Sequence, residues 1–454
     1  MTTPSERQDL HSFLAYYGAR RPGDVLVVDE EISAEEDVTA LAFGLAARGR
    51  HEMIRCPKVA GLGVELVTNV FASRARVASL FGVGERGLHA AYQERARRAC
   101  EPRVLADGPV LEEILEPDLA AVPMIRHFAS DLGRYITSGI VVAEDPAGGA
   151  GNMSYHRATP HAPDELALSL HSRGDLWRLL QRSDGPLPVA MVIGGHPLFM
   201  LAASARVGAD VDERDIAGGL FGEPLQVVRT PRHGIRVPAT AEYVIEGVID
   251  PGDHAPEGPF GEFSGYSSHR STNNVLRVDT ICRRRDPVLL DVVAGNSAEH
   301  LNLARIPRES EMAEQLITRF PDVTALHYPN SGTHFHAYVS LRQRRPGQAR
   351  QVMLGLLGWD PYLKTVIAVD EDIDVTDDAA VLWALAAHFQ PHRDLFLVDG
   401  LPGSPLDPSS GSDGTTSRLA LDATRGPGFD GEPIELSEAA RTRAARLLDQ
   451  IGKD

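Results

Sequence analysis

The chain has 454 residues, more than one hydrophobic core usually serves, and its 43% apolar and 24% charged residues are ordinary for a folded globular protein rather than a disordered one. A net charge of −18 without long basic runs argues against nucleic acid or an anionic membrane as the main partner. Cys56, Cys100 and Cys282 are too few and too scattered for a disulfide framework or a thiolate metal site, which suits a reducing compartment.

In chain order, the start MTTPSERQDLHSF shows no basic region followed by an apolar core, so a cytoplasmic protein is expected. Helical spacing from Asp9 to Tyr17, a short strand from Asp24 to Val28 and an acid-started helix from Ala34 to Arg48 suggest an α/β region over residues 1–115. Residues 116–305 change to β segments among many glycines and prolines, at 140–143, 189–193, 226–228, 242–249, 275–281 and 288–293, predicting a barrel or sandwich. The longest apolar run, Leu187 to Ala205, is broken by Gly194, Gly195, His196 and Pro197; it reads as buried strand, turn, strand and not as a membrane span. Over 306–454, helices at 310–319, 349–357 and 379–389 alternate with strands at 323–328 and 365–369, as βα units do. Residues 400–416, rich in Gly, Pro, Ser and Asp, are expected to form a mobile loop, and 437–451 a terminal helix with a serine N-cap.

The hexapeptide Glu257-Gly-Pro-Phe-Gly-Glu262 carries two acids on a shaped loop, since glycine admits unusual backbone angles and proline fixes its own. In an extended strand the two acids would stand ~17 Å apart on opposite faces, so they converge only if Gly-Pro-Phe-Gly turns the chain. Within Gly151-Asn-Met-Ser-Tyr-His-Arg157, on a predicted strand, Arg157 offers a rigid fork for a carboxylate or phosphate and Asn152 a neutral oxygen ligand or amide donor. His171 falls at a predicted strand end, and Glu213 opens a predicted helix, where an acid suits the dipole without further role. Their spacing matches no local metal motif. Gly194-Gly-His-Pro197 reads as a structural turn. His334 and His336 would share one face of a strand and line a surface or interface.

Together, Asn152-x-Ser-x-x-Arg157, His171, Glu213-x-x-x-x-Gly218, Val237-Pro-Ala-Thr-Ala-Glu242 and Pro256-Glu-Gly-Pro-Phe-Gly-Glu262-x-x-Gly-Tyr266 resemble, in order and spacing, the UbiD family of prenylated-FMN-dependent decarboxylases. Asp9-Leu-His-Ser-Phe-Leu, Asp370-Glu-Asp-Ile-Asp and Ser417-Arg-Leu-Ala-Leu-Asp-Ala-Thr extend the resemblance over nearly the whole chain. It implies an α+β fold: an N-terminal α/β region, a central split β-barrel resembling flavin-reductase folds, and a C-terminal α/β domain used for oligomerisation.

The resemblance also implies the site. Met153, Ser154, Tyr155, His156, Arg157 and Leu170 would line a prenylated FMN, with Ala203 and Ser204 close to it and to a K⁺ ion. Asn152, His171 and Glu213 would hold Mn²⁺ or Mg²⁺ against the cofactor phosphate, ligand types that suit such a cation. Arg418 stands where relatives place a phosphate-contacting lysine. Arg157, Glu257 and Glu262 would form a catalytic Glu-Arg-Glu network, with Glu262 as proton donor; an ordinary Glu, at ~4.3, is ionised at neutral pH, so its environment must raise it. The implied activity is reversible non-oxidative decarboxylation of an aromatic or α,β-unsaturated acid by a homodimer or higher assembly, the cofactor coming from a flavin prenyltransferase. The rival readings are an FMN-dependent oxidoreductase on the same barrel and a non-catalytic binding protein.

Overall fold

The computed structural model describes residues 8–170, 174–269, 271–426 and 428–451. Alternate residues of the central strands enter two different cores, as the two-residue period of a strand dictates. Val142, Ala190, Val192 and Val244 pack outward with the helices Pro197–Ala202 and Glu213–Phe221. Val141, Ala143, Val189, Met191 and Ile245 pack inward with Leu166, Leu168 and Leu276. Strands buried on both faces read in sequence as continuous apolar runs, which is how 140–143 and 187–193 look.

These strands belong to an eight-stranded sheet ordered Asn152–Tyr155, Ile140–Ala143, Leu187–Ile193, Tyr243–Glu257, Ser271–Arg283, Glu165–Leu168, Ala158–Ala162, with Glu113–Leu115 also pairing Ser271–Arg283. The two ends of that order, Asn152–Tyr155 and Ala158–Ala162, are neighbours in sequence. Only His156 and Arg157 join them, a reach of ~10 Å, so the sheet has to curl until its two edges come near each other. The isolated bridge between Ile136 and Ala158, and the His156 amide donating to the Gly139 carbonyl, mark this seam. The result is the split barrel of an α+β fold.

A four-stranded sheet (Val25–Val27, Met53–Cys56, Leu66–Thr68, Leu289–Leu290) joins the N-terminal region to the chain leaving the barrel. A mixed five-stranded sheet (Val323–His327, His336–Leu341, Thr365–Asp370, Thr415–Asp422, Leu395–Pro402) forms the C-terminal region. The helix Ala298–Arg319 links barrel and C-terminal sheet, and among the described residues no helix is long and apolar enough to cross a membrane.

Four expectations need correction. After the strand Leu187–Ile193 the chain forms a helix, Pro197–Ala202, and not a second strand: Gly194 turns at φ +76°, the His196 ring accepts from the Leu198 amide, and proline suits a first helical position. All six residues of that helix are buried, so no helical period is visible in the sequence. The helix expected at 310–319 starts at Ala298 and runs through Pro307, capped by the Ser297 hydroxyl. Of 288–293, only Leu289–Leu290 is strand. His334 lies in the turn before the strand His336–Leu341, so it shares no strand face with His336, and it is buried rather than superficial.

Candidate active site

The segment 257–262 does turn, and two glycines permit it. Gly258 adopts φ +79°, and a Cβ at Gly261 would overlap the Phe128 ring. The loop is pinned on several sides. The Gly258 amide donates to the Tyr135 hydroxyl (3.2 Å), the Gly261 amide to Asp131 Oδ1 (2.9 Å), and Phe260 exchanges hydrogen bonds with Ser268. Phe260 also packs on Tyr135, with ring centroids 4.7 Å apart.

Both acids meet Arg157 at the barrel seam. Its Nε donates to Glu257 Oε1 at 2.7 Å and its Nη2 to Glu257 Oε2 at 3.0 Å, a bidentate grip, while Nη1 donates to Glu262 Oε1. Asn273 adds a third donor to Glu257 at 3.0 Å, and the guanidinium lies over the Phe260 ring, 4.7 Å from its centroid. The two acids are therefore held unequally. Glu257, fully buried, has both oxygens engaged; Glu262, 6% exposed, has one bond to the arginine.

Burial raises the Glu262 carboxyl above the ordinary range; Arg157 opposes that, and Glu257 and Asp131 reinforce it. Burial disfavours the charged Arg157, yet its bonds to both carboxylates outweigh this and leave it above its ordinary value. A permanent cation thus sits between one firmly gripped carboxylate and one acid biased toward its protonated form.

Glu262 and Arg157 open into a cavity of about 360 Å³. Tyr155, His156 and Leu170, assigned above to a prenylated FMN, line it, joined by Phe260, Val292 and Ala294. Met153 instead buries its side chain in the outer core. Ser154 bonds Asn152 Oδ1 (2.8 Å) and His156 Nε2 (3.0 Å), so it orders the strand polar groups. Ala203 and Ser204 follow the helix Pro197–Ala202, whose Met200 carbonyl accepts from the Tyr155 hydroxyl.

Asn152 and Glu213 do come together: Asn152 Nδ2 is 3.4 Å from Glu213 Oε1, and the Met153 amide donates to Glu213 Oε2 at 2.8 Å. Burial raises Glu213 to about 8, and no cationic side chain among the described residues is paired with it. A buried carboxylate without a counter-charge fits a cation's ligand shell. His171, the expected third ligand, lies outside the described residues; among them, no group of three His, Cys, Asp or Glu side chains is arranged to hold a metal.

Arg418 is placed otherwise than expected. Its amino groups donate to the carbonyls of Leu357, Asp360, Pro361 and Pro402, so it braces the C-terminal wall instead of presenting a free cation to a phosphate. No sequence motif marks His300, Tyr362 or the 404–406 loop, which complete the cavity from the C-terminal side. They come from elements far apart in the chain, and only the packing of the C-terminal sheet against the barrel brings them in.

Three family models match consecutive parts of the chain: the 3-octaprenyl-4-hydroxybenzoate carboxy-lyase N-terminal domain at residues 19–96, the Rift-related domain at 103–297 and the C-terminal domain at 301–423. An anhydromevalonate phosphate decarboxylase of Aeropyrum pernix is 31% identical, over 92% of this chain and 93% of its own. The UbiD-class enzyme HmfF from Pelotomaculum thermopropionicum, solved with FMN, superposes with a TM-score of 0.90 at 32% identity, covering 96% of this chain and 99% of that one. An evolved dimeric form of HmfF with prenylated FMN gives 0.85 at 28% identity, covering 95% and 99%.

Proposed function

The chain belongs to the UbiD family of carboxy-lyases, and from that premise we propose that it removes CO₂ from an aromatic or α,β-unsaturated carboxylic acid with prenylated FMN, Glu262 delivering the proton. The observation that carries this reading is the unequal attachment of Glu257 and Glu262 to Arg157 at the mouth of one cavity. A binding protein has no need of two buried acids on one arginine, and hydride transfer has no need of a carboxyl biased toward its proton.

When bound, the prenylated flavin supplies the electron sink for the pair left behind as CO₂ departs. The protein's part is orientation and one proton. Three of Arg157's five N–H groups are engaged by the two acids, leaving two that can hold the substrate carboxylate. Glu257 anchors the guanidinium from behind. Glu262, kept toward its neutral form, donates to the carbon that has lost CO₂. Leu170, Phe260, Val292 and Ala294 keep competing water from that carbon.

Glu213 and Asn152, with His171, are assigned to Mn²⁺ or Mg²⁺ at the cofactor phosphate, and K⁺ to the vicinity of Ala203 and Ser204. For Glu213 the sign is fixed by its raised value: the stability it contributes without a cation is full below about 4.5 and is lost as pH rises through about 8. Metal-free protein should therefore lose thermal stability across that window, and Mn²⁺ should restore it at its upper end. A melting curve indifferent to Mn²⁺ at pH 8, or unchanged in Glu213→Gln, would remove Glu213 from the ligand set.

The overall test is co-expression with a flavin prenyltransferase, followed by the mass and absorption spectrum of the bound cofactor and CO₂ release from a panel of aryl and enoic acids. Prenylated FMN and acid-dependent CO₂ are expected; unmodified FMN with NAD(P)H-driven turnover would establish the oxidoreductase instead. A homodimer or higher assembly in the cytoplasm completes the proposal.

A further inference from the structure

Behind the loop that carries the two acids sits a third buried carboxylate, one that does not line the cavity. Asp131 is 2% exposed and ends the turn 128–131, which its own amide closes on the Phe128 carbonyl at 3.0 Å. Both side-chain oxygens accept from main-chain amides, Oδ1 from Gly261 at 2.9 Å and Oδ2 from Phe128 at 3.0 Å, the pattern of a carboxylate rather than a carboxylic acid. Gly261 directly precedes Glu262, so this contact fixes the backbone from which the proton donor projects.

Turn and loop are locked together at further points. The Leu132 amide donates to the Pro259 carbonyl at 2.9 Å, and the Phe128 ring fills the space beside Gly261 and Gly295, where a Cβ would overlap it. Glu262 is in turn tied by its own amide to the Tyr266 carbonyl at 2.9 Å. A glutamate side chain has several rotatable bonds; a backbone held on both sides leaves it few directions, and the bond to Arg157 selects one.

The charge of Asp131 is not spent on a basic side chain of its own. Among the described residues no arginine or lysine forms an ion pair with it: Arg126 donates to the carbonyls of Ala129 and Asp131, and Arg134 is paired with Glu35. His127 faces it, but that ring is gripped by Asp291 at 3.1 and 3.2 Å, with Glu299 also near. Several acids to one imidazole leave negative charge on this side of the loop. Burial pushes Asp131 up, opposed by the Phe128 and Gly261 amides and by His127. Around Glu262 itself, burial and Glu257 act in the same sense as Asp131, and Arg157 opposes them.

We propose that Asp131 is a positioning residue for the proton transfer: it holds the Gly261 backbone so that Glu262 stays beside Arg157, and its negative charge disfavours a second charge on Glu262. This rests on the decarboxylase reading, in which Glu262 donates the proton. Because Asp131 acts through Glu262 alone, its loss is felt in kcat and in the pH dependence, with KM little changed.

The test places Asp131→Asn and Asp131→Glu beside the wild type, flavin-loaded and supplied with an acid that the panel above shows to be turned over. Without a negative neighbour Glu262 releases its proton at lower pH, so the alkaline limb of kcat should move down by about 0.5–1 pH unit in Asp131→Asn. Asp131→Glu keeps the charge and both acceptor oxygens but pushes the anchor outward by a methylene, so it reads the anchor even if Asp131→Asn fails to fold. Its kcat should fall about 10- to 100-fold, with the limb near the wild-type position. A second readout needs no turnover: the carboxyl infrared band of Glu262, identified by its loss in Glu262→Gln, should titrate at lower pH in flavin-free Asp131→Asn than in flavin-free wild type. A shifted band without CO₂ release from any acid would support the role of Asp131 while overturning the decarboxylase reading. With CO₂ release intact, an unmoved limb and band in Asp131→Asn, or wild-type kcat in Asp131→Glu, would overturn the proposal and leave that reading standing.

Discussion

Glu262→Gln should lower CO₂ release from the flavin-loaded enzyme by about 10²- to 10⁴-fold while leaving cofactor content and fold unchanged, the range expected when one positioned acid is removed. Glutamine keeps an oxygen that can accept from Arg157 Nη1, and the loop's other anchors, from Tyr135, Asp131 and Ser268, do not involve this side chain. What disappears is the transferable proton. Because burial raises the Glu262 carboxyl, its donor form persists to higher pH than an ordinary glutamate's, and activity is lost as pH rises through that raised value. The wild-type rate should thus fall on the alkaline side, and the residual rate of the variant should not follow the same limb. Wild-type turnover in a correctly loaded Glu262→Gln protein would assign the proton to another group.

Arg157→Ala should abolish turnover and destabilise the protein by about 3–5 kcal/mol, the usual cost of stripping one partner from a buried ion pair. Two carboxyls lose their cation at once: Glu257, fully buried and left with the neutral partners Asn273 and Tyr135, and Glu262. Either protons must be taken up or the loop must move, and neither leaves a donor beside an anchored anion. Arg157→Lys separates charge from shape, since an ammonium supplies the charge but cannot make the bidentate grip on Glu257. It should recover part of the stability and little of the activity. Denaturant melts and single-turnover assays of both variants decide this; a stable, active Arg157→Ala protein would show the arginine to be an ornament of the loop.

The convergence of Glu257 and Glu262 was legible because glycine and proline at fixed places leave a short segment few shapes. The resemblance named Arg157 as their partner, but the strand pairing that delivers it was not legible. The seam joins the two edges of an eight-stranded sheet, and sheet order is a property of pairings far apart in sequence, such as Leu187–Ile193 with Tyr243–Glu257. The helix Pro197–Ala202 was misread because a fully buried segment has no polar face to reveal its period. A proline inside the helix Ala298–Arg319, at Pro307, hides its first half from a reading of the sequence, since proline ordinarily ends a helical pattern. Arg418 was legible as a cation at a matching position, but the carbonyls that occupy it belong to the end of the helix Gln348–Trp359, to the segment 360–361 after it and to the end of the strand Leu395–Pro402, which no local pattern brings together.

The seam also separates what can evolve from what cannot. Arg157 is placed by the circumference of the barrel: a residue inserted between Tyr155 and Ala158, or a shifted register in any strand of the sheet, would carry the guanidinium away from both acids. The wall formed by His300, Tyr362 and the 404–406 loop hangs from other elements and can be rewritten without touching barrel closure. On the proposed function, the reaction is therefore tied to the barrel's geometry, while the opposite wall is free to set which acid fits.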